Sequence, residues 1–479
     1  MTSSLADLLD GLPPEPSEAD LFANLQRSVQ QGPRPLVAID DDPTGVQTVH
    51  DTSVLLTWGK PELQAELTRN APVFFVLTNS RSMPTEEAER VNVTVGQNLS
   101  AARAAAGSGP FVVASRSDST LRGHFPAEPL ALQAGLGERF DGHLLVPAFF
   151  EGGRYTIDDT HWVATPTASS PEVVPASATS FAQDAVFRYH TAYLPAWVEE
   201  KSRGRWAASE VLSVPLPVVR QGPDAVCARL LQVDGGVPVV VNAAGYGDLS
   251  AFVLGLLQAE VRGKRFLYRT AASFVRIRAG MSARPLLSGV EVATACGEDD
   301  VSAQRGLVVV GSYQPSTTEQ VQRLLATPEL RPRGIEVDVA AVLSGGWSPE
   351  QCGAMLNAAL EAGDLPVLYT SRQLVVGVGD ENLGIGQKVI DGLLAALRHL
   401  EVRPRFIVAK GGITSHVVAE RGLGALRAQV LGQVLAGVPV WRLETGPESR
   451  FPGMPYVVFP GNVGDPEGLV DAVRLLGST

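Results

Sequence analysis

The residues best suited to chemistry lie in AIDDDPTGVQTVHD, residues 38–51. There an apolar run stops abruptly at three carboxylates, Asp40, Asp41 and Asp42, and Pro43, Thr44 and Gly45 then force a turn. Acids delivered to the carboxyl end of a buried strand can hold a metal, orient a hydroxyl or take its proton. The competing reading is a capped strand–helix turn with solvated acids. Four arginines, Arg81, Arg116, Arg122 and Arg154, follow other strand-like runs. Guanidinium groups there can grip a carboxylate or phosphate bidentately, or they can form structural bridges with Asp41, Asp42 or Asp118. His50, His124 and His161 fall in or near the same loops. They are read as loop histidines held by hydrogen bonds, with proton transfer as the alternative.

A second set of signals comes later in the chain. GSYQPS (311–316), KGGITS (410–415) and PGNVGD (460–465) each follow an apolar run and open a helix-like one. Glycines let backbone N–H groups approach an anion, and helix N-termini add partial positive charge, so three such turns on one sheet edge suit a phosphate or nucleotide. No GxxxxGK[ST] is present. Gly377-Val378-Gly379 lacks the third glycine of a dinucleotide fingerprint and runs into Asp380 and Glu381, which disfavours an NAD-dependent oxidoreductase.

These residues need elements to position them. Strand-like runs at 36–39, 73–80, 111–118 and 143–150 all end in polar, ligand-competent loops, and 86–106 is helix-like. That repetition predicts an α/β doubly wound sheet with its site along one edge. Residues 160–225 are less regular and read as an insertion or cap. A strand at 238–245 precedes a helix to about Val261, with Asp248 as its cap. A second α/β series begins at 306. It comprises a capping box at Ser316 and Glu319, a strand 335–342, a helix from Pro349, a strand 365–370, a helix 383–399, strands at 405–410 and 456–459 and a closing helix 467–476. The domains expected are a lead-in at 1–35, a first α/β domain at 36–278, a linker at 279–305 and a second α/β domain at 306–479. Each would have a mainly parallel sheet flanked by helices, with the active site in a cleft between them.

At 479 residues the chain is too long for one ordinary core. A net charge of -12 argues against a general nucleic-acid binder but permits an anionic small substrate beside a few local arginines. The acidic start, MTSSLADLLDGLPPEPSEAD, lacks a basic-then-apolar leader pattern, and no apolar run reaches membrane-spanning length. Cys227, Cys296 and Cys352 are too dispersed for a disulfide framework or zinc pattern. Together these predict a reduced, cytoplasmic setting.

The ordered motifs resemble the four-carbon acid sugar kinase family over about residues 36–470. Asp41, Asp42, Thr44 and Gly45 match its DDxTG, Ser80-Arg81 its Ser-Arg pair, and DSTLRGH (118–124) its DSTLRGN. PAFFEGGRYT (147–156) is similar to its Gly-Arg-Thr loop. In the second half GSYQPSTTEQ, GGITS and PGNVG resemble its GSxSxxTxxQ, GGxTS and SGNFG. The resemblance implies ATP-dependent phosphorylation of a hydroxyl on a C4 sugar acid or its 3-oxo form, with Mg2+ through ligands the sequence does not identify. It implies Asp41 and Asp42 as catalytic residues and Ser80, Arg81, Asp118, Arg122, Arg154 and Thr156 as substrate contacts, with Arg81 and Arg154 on the substrate carboxylate. It also implies Gly311, Ser312, Ser316, Gly411, Gly412, Ile413, Thr414, Gly461, Asn462 and Gly464 as the ATP seat. The implied partners are a sugar acid and ATP, not nucleic acid or membrane, with self-association left open. Departures from the pattern are Arg116 for a lysine, His124 for Asn, Gln47 for Asn, Thr48 for an acid, and Phe459-Pro460 for Lys-Ser. They leave a second expectation beside the kinase: a catalytically inactive protein of the same fold that senses a sugar acid or nucleotide.

Overall fold

The computed structural model describes residues 3–32, 34–165, 172–297, 305–372, 381–444 and 449–477. The chain forms two compact units, one of residues 1–49 and 58–283, the other of residues 50–57 and 284–479.

In the first unit a parallel sheet runs in the order Leu212–Val214, Val237–Val241, Gly142–Val146, Phe266–Thr270, Val112–Arg116, Leu36–Asp40, Val73–Leu77. Leu36–Asp40 is flanked on both sides and buried at every position, which explains its unbroken apolar run. Because the strands are parallel, the loops after residues 40, 77, 116, 146 and 270 share one edge. The helix Thr85–Ala106 packs on Ala127–Leu136. The stretch that reads as irregular supplies two strands, Thr160–Ala164 and Glu172–Pro175, to a separate antiparallel sheet in the order Ser3–Ser4, Glu172–Pro175, Thr160–Ala164, Arg154–Ile157. Its strands are two to five residues long, too short to print a period on the sequence.

The second unit has a mixed sheet. Five parallel strands run Pro455–Phe459, Ile407–Lys410, Leu307–Val310, Leu365–Thr370, Pro332–Val337. Antiparallel Val438–Leu443, Arg427–Leu435 and Thr52–Leu55 extend it beyond Pro455–Phe459. Apolar side chains including Val308, Val310, Val321, Leu324, Val367, Val408, Val457 and Phe459 form its core.

Several local expectations change. The helix Pro315–Leu325 begins one residue before Ser316 and has no side-chain cap, so Ser316 and Glu319 form no capping box. Gly245, not Asp248, precedes the helix Tyr246–Val261; Asp248 instead accepts from Ala244 N at 3.0 Å and pairs with Arg220 at 2.9 Å. The strand expected to reach Val342 stops at Val337, because Asp338 caps the helix Val339–Ser344 by accepting from Ala340 N and Ala341 N. Within the expected linker, Ser288 and Glu291 cap a helix Gly289–Cys296 reciprocally. Gly377, Val378, Gly379 and Asp380 lie outside the described residues, as do the linker residues Glu298, Asp299 and Asp300.

Candidate active site

The three aspartates of residues 40–42 have three different surroundings. Asp40 ends its strand facing Arg116, whose Nη1 lies 3.1 Å away. A Cβ on Gly45 would come within 1.9 Å of Asp40 Oδ2, so only glycine lets the turn close over that carboxylate. Burial pushes the Asp40 carboxyl up to about 7; Arg116 opposes the rise, and the neighbouring Asp41 and Asp42 add to it. Asp40 and Arg116 are thus partners of each other, and Arg116 is not a free gripping group.

Asp41 accepts from Ser117 Oγ at 2.6 Å and from Arg81 through both Nε and Nη2. Asp42 turns the other way. Its Oδ1 accepts from Thr44 N at 2.8 Å and from Thr44 Oγ1, and its Oδ2 lies 3.4 Å from Arg81 Nη1. The Asp41 side chain is 3% exposed and that of Asp42 22%, so Asp42 is the more accessible acid. Burial raises the Asp42 carboxyl, but Arg81 and the Thr44 hydrogen bonds outweigh burial and hold it below the usual range. Arg81 also lies 3.8 Å from Asp118, so this one guanidinium serves three carboxylates.

The DSTLRGH loop is built around Asp118. Its carboxylate accepts from Thr120 N, Thr120 Oγ1 and Arg122 N, and takes Arg122 bidentately at 2.8 and 3.2 Å. Burial works against its ionisation, but Arg81 and Arg122 together keep it well below the ordinary carboxylate range. Arg122 also reaches toward Asp184 at 3.7 Å and lies over the Phe181 ring at 5.0 Å.

Arg154 behaves differently from the other three arginines. Its guanidinium makes no hydrogen bond or ion pair among the described residues, and its buried Nε has no partner. It lies 5.7 Å from the centre of the Phe181 ring. Burial lowers its pKa; Asp118 is near enough to counter part of that, and Arg122 adds to it. Thr156, two residues on, has its Oγ1 3.1 Å from His161 Nδ1, while His161 Nε2 lies 2.7 Å from the Ser119 carbonyl. The carbonyl can only accept, so Nε2 carries the proton and Nδ1 accepts from Thr156. Burial pushes His161, on the strand Thr160–Ala164, down to about 4, which keeps it a neutral strut between the strand Arg154–Ile157 and the DSTLRGH loop. His124 Nδ1 lies 3.2 Å from Thr85 Oγ1, and His50 Nδ1 lies 2.8 Å from Asp51.

Two groups in this cluster carry no role in the sequence reading. Ser80 Oγ sits 2.9 Å from Thr78 Oγ1 and donates to Glu128, a buried residue of the helix Ala127–Leu136. Burial, reinforced by Asp41, pushes Glu128 up to about 8. Arg269, on Phe266–Thr270, donates to the carbonyls of Asp118 and Arg122 at 3.1 and 2.9 Å and so shapes the DSTLRGH loop from beneath. Glu128 falls just past the DSTLRG motif in sequence, but nothing in its spacing distinguishes it from a surface helix acid.

In the second unit the three glycine turns meet. A Cβ on Gly311 would lie 2.3 Å from Thr414 Oγ1, one on Gly461 3.0 Å from Ser312 Oγ, and one on Gly464 3.0 Å from Gln320 Nε2. Thr317 Oγ1 donates to Gly461 O at 2.9 Å and Ser316 Oγ lies 3.4 Å from it, while Gln320 Nε2 donates to the carbonyls of Val463 and Asp465. Gly411 and Gly412 open the next helix, Gly412–Val417, and Ile413 and Asn462 are exposed. Lys410, wholly buried, donates to Pro460 O at 2.7 Å and Val463 O at 3.0 Å and sits 4.0 Å over the Phe459 ring. The third turn therefore receives an amine from a neighbouring strand although its own sequence has Phe459 and Pro460. Burial lowers Lys410 to about 7.

Among the described residues no cluster of three or more His, Cys, Asp or Glu side chains could hold a metal. Magnesium carried on phosphates needs only one or two carboxylates, its other ligands being phosphate oxygens and water. Asp465, at the end of the third turn, is exposed and accepts from Glu467 N through Oδ1 at 3.0 Å. Among the described residues no helix is long and apolar enough to cross a membrane.

Comparison with known proteins matches residues 36–278 to a sugar-binding N-terminal domain and residues 307–469 to a nucleotide-binding C-terminal domain. No curated protein matches the chain. Among solved structures, a Salmonella typhimurium LT2 protein provisionally named a tRNA synthase is 19% identical with a TM-score of 0.64, covering 92% of this chain and 99% of its own. A Haemophilus influenzae protein of the DUF1537 family is 17% identical with a TM-score of 0.57, covering 92% and 100%. Both share the fold. The pairing of a sugar-binding first domain with a nucleotide-binding second one places the chain in the four-carbon acid sugar kinase family.

Proposed function

We propose that the protein transfers the γ-phosphoryl group of ATP to a hydroxyl of a four-carbon sugar acid, a tetronate or its 3-oxo form. The observation that carries this reading is Arg154, a half-buried guanidinium without a carboxylate partner among the described residues, set beside an acid–arginine cluster in the sugar-binding domain. A substrate carboxylate completes its pairing. Arg81, already shared by Asp41, Asp42 and Asp118, holds the acids in place and adds charge at the edge of the substrate site.

Asp42 remains ionised at neutral pH and is the more accessible acid, so it accepts a hydrogen bond from the substrate hydroxyl and orients it. In the transfer, the hydroxyl oxygen bonds to the γ-phosphorus and the bond to the β–γ bridging oxygen breaks. ADP leaves and the hydroxyl proton passes to Asp42. A loose phosphoryl-transfer transition state asks little of the base beyond alignment, which suits a carboxylate of low pKa. The glycine turns of the nucleotide-binding domain offer helix N–H groups to the phosphates. Magnesium, when bound, would neutralise charge on the β- and γ-phosphates.

A second reading, binding without turnover, is favoured by Phe459 and Pro460, which replace Lys-Ser in the third turn. Against it, Lys410 supplies an amine to that turn. The test is ADP release with a panel of tetronates and 3-oxo-tetronates, for wild type and Asp42→Ala. Turnover on one acid, lost by at least about a hundredfold in the variant, is expected. ATP binding with no turnover on any acid selects the binding-protein reading.

A further inference from the structure

The second unit contains a hollow of about 560 Å³, between the helix Pro315–Leu325 and the carboxyl ends of the strands Pro332–Val337 and Leu365–Thr370. That is within the roughly 300–1,000 Å³ range of small-molecule sites. Leu325 and the Tyr369 ring offer apolar surface, Glu336 and Asp338 offer carboxylates, and Gln322 is exposed at the hollow. Asp338 spends Oδ1 on the N–H groups of Ala340 and Ala341, and its Oδ2 makes no hydrogen bond among the described residues.

Arg372 connects the hollow to the first glycine turn. Its Nη1 donates to Ser312 O at 2.8 Å, its Nε to Thr370 O at 3.0 Å and its Nη2 to Thr370 Oγ1 at 3.0 Å. A guanidinium has five N–H donors, so among the described residues two remain without an acceptor. Arg372 has no carboxylate partner at salt-bridge distance among the described residues, and burial lowers its pKa.

Sheet order supplies the spacing. Leu365–Thr370 neighbours Leu307–Val310, which leads into GSYQPS, and Pro332–Val337 is the next strand outward. Strands sit about 4.8 Å apart, so the hollow lies roughly 5–10 Å along the edge from that turn. A polyphosphate seated on the glycine turns and running outward along the edge would bring its ester-linked sugar to this place. Two carboxylates would repel a free phosphate or sugar acid, yet they suit the neutral hydroxyls of a ribose.

We propose that this hollow is the nucleoside subsite: Glu336 and Asp338 accept from the ribose hydroxyls, Tyr369 and Leu325 flank the base, and Arg372 faces the phosphate nearest the sugar. This rests on the reading that the second domain binds a nucleotide on its glycine turns. The test is calorimetric titration of the full chain with ADP and with inorganic tripolyphosphate, for wild type, Glu336→Leu and the hollow-filling Gln322→Trp, each checked for native melting. Both variants are expected to bind ADP at least tenfold more weakly while tripolyphosphate affinity stays within twofold. ADP affinity within twofold of wild type in both variants overturns the subsite and leaves the nucleotide reading standing. Equal weakening toward ADP and tripolyphosphate also overturns it, since the residues would then act through the turns. Wild-type protein that binds neither ADP nor ATP removes the nucleotide reading itself, and the subsite with it.

Discussion

Replacing Arg154 with methionine separates a ligand-binding arginine from a structural one. A structural arginine leaves its partner carboxylate stranded when removed, which costs about 3–5 kcal/mol for a buried pair. Arg154 has no such partner among the described residues, and its burial already disfavours its charge. The variant gives up the contact with Phe181, about 0.5–1 kcal/mol, and recovers the cost of an unpaired, half-buried cation. Methionine retains most of the apolar stem. The two changes nearly cancel, so Arg154→Met should hold its stability within about 1 kcal/mol, a melting shift of at most about 4 °C. Substrate binding should behave otherwise. Two charge-assisted hydrogen bonds to a carboxylate are worth about 1.5 kcal/mol each at the low end, so KM for the sugar acid should rise about a hundredfold. Preference for the acid over the matching neutral alditol should collapse with it, because the lost contact is specific to the carboxylate. The measurements are a thermal melt and steady-state ADP release on the acid and the alditol. A KM within threefold of wild type, or a loss of stability above about 3 kcal/mol, would falsify the assignment of Arg154 to the substrate.

The other predictions concern the supports of the two sites. Glu128 has a folded pKa raised from 4.5 to about 8, so its contribution to stability is complete below about pH 4.5 and is lost as pH rises toward 8; Glu128→Gln should flatten that part of a denaturant-based stability profile, whose slope is at most about 1.4 kcal/mol per pH unit. Lys410 is the opposite case, lowered from 10.5 to about 7, so its contribution is present above 10.5 and is lost as pH falls through 7. Lys410→Met should remove that dependence and weaken ATP binding measured by calorimetry, because Pro460 O and Val463 O lose their donor. Gly311→Ala should destabilise the second unit by roughly 1–3 kcal/mol, and Thr414→Ala in the same chain should restore part of the loss, since the clash is with Thr414 Oγ1; strict additivity in the double-mutant cycle would exclude that contact. Asp118→Asn should cost about 3–5 kcal/mol in urea unfolding, because it uncouples Arg122 and leaves Arg81 with two carboxylates instead of three.

Sequence pattern reaches some of this architecture and stops short of the rest for identifiable reasons. Buried parallel strands write themselves as apolar runs, so Leu36–Asp40, Val73–Leu77, Val112–Arg116 and Leu307–Val310 can be read directly, along with the polar loops at their carboxyl ends. The hairpin Arg427–Leu443 and the strand Thr52–Leu55 escape, because their pairing is antiparallel, irregular in register and remote in sequence. Composition announces the acids and arginines, but their pairing is decided by neighbours far along the chain. Asp40 meets Arg116 across 76 residues and Asp41 meets Arg81 across 40, and those contacts separate a buried counter-ion from an accessible acid. Arg81 and Arg154 look alike as residues following strand ends. Only the fold shows that one is shared among three carboxylates and the other has none among the described residues, and that contrast is what turns a set of motifs into an ordered division of labour. The same holds at the third glycine turn, where Phe459 and Pro460 look like a lost cation until Lys410 is seen arriving from the adjacent strand. A departure from a family motif therefore bears on activity only after the neighbouring strands have been searched for the missing group.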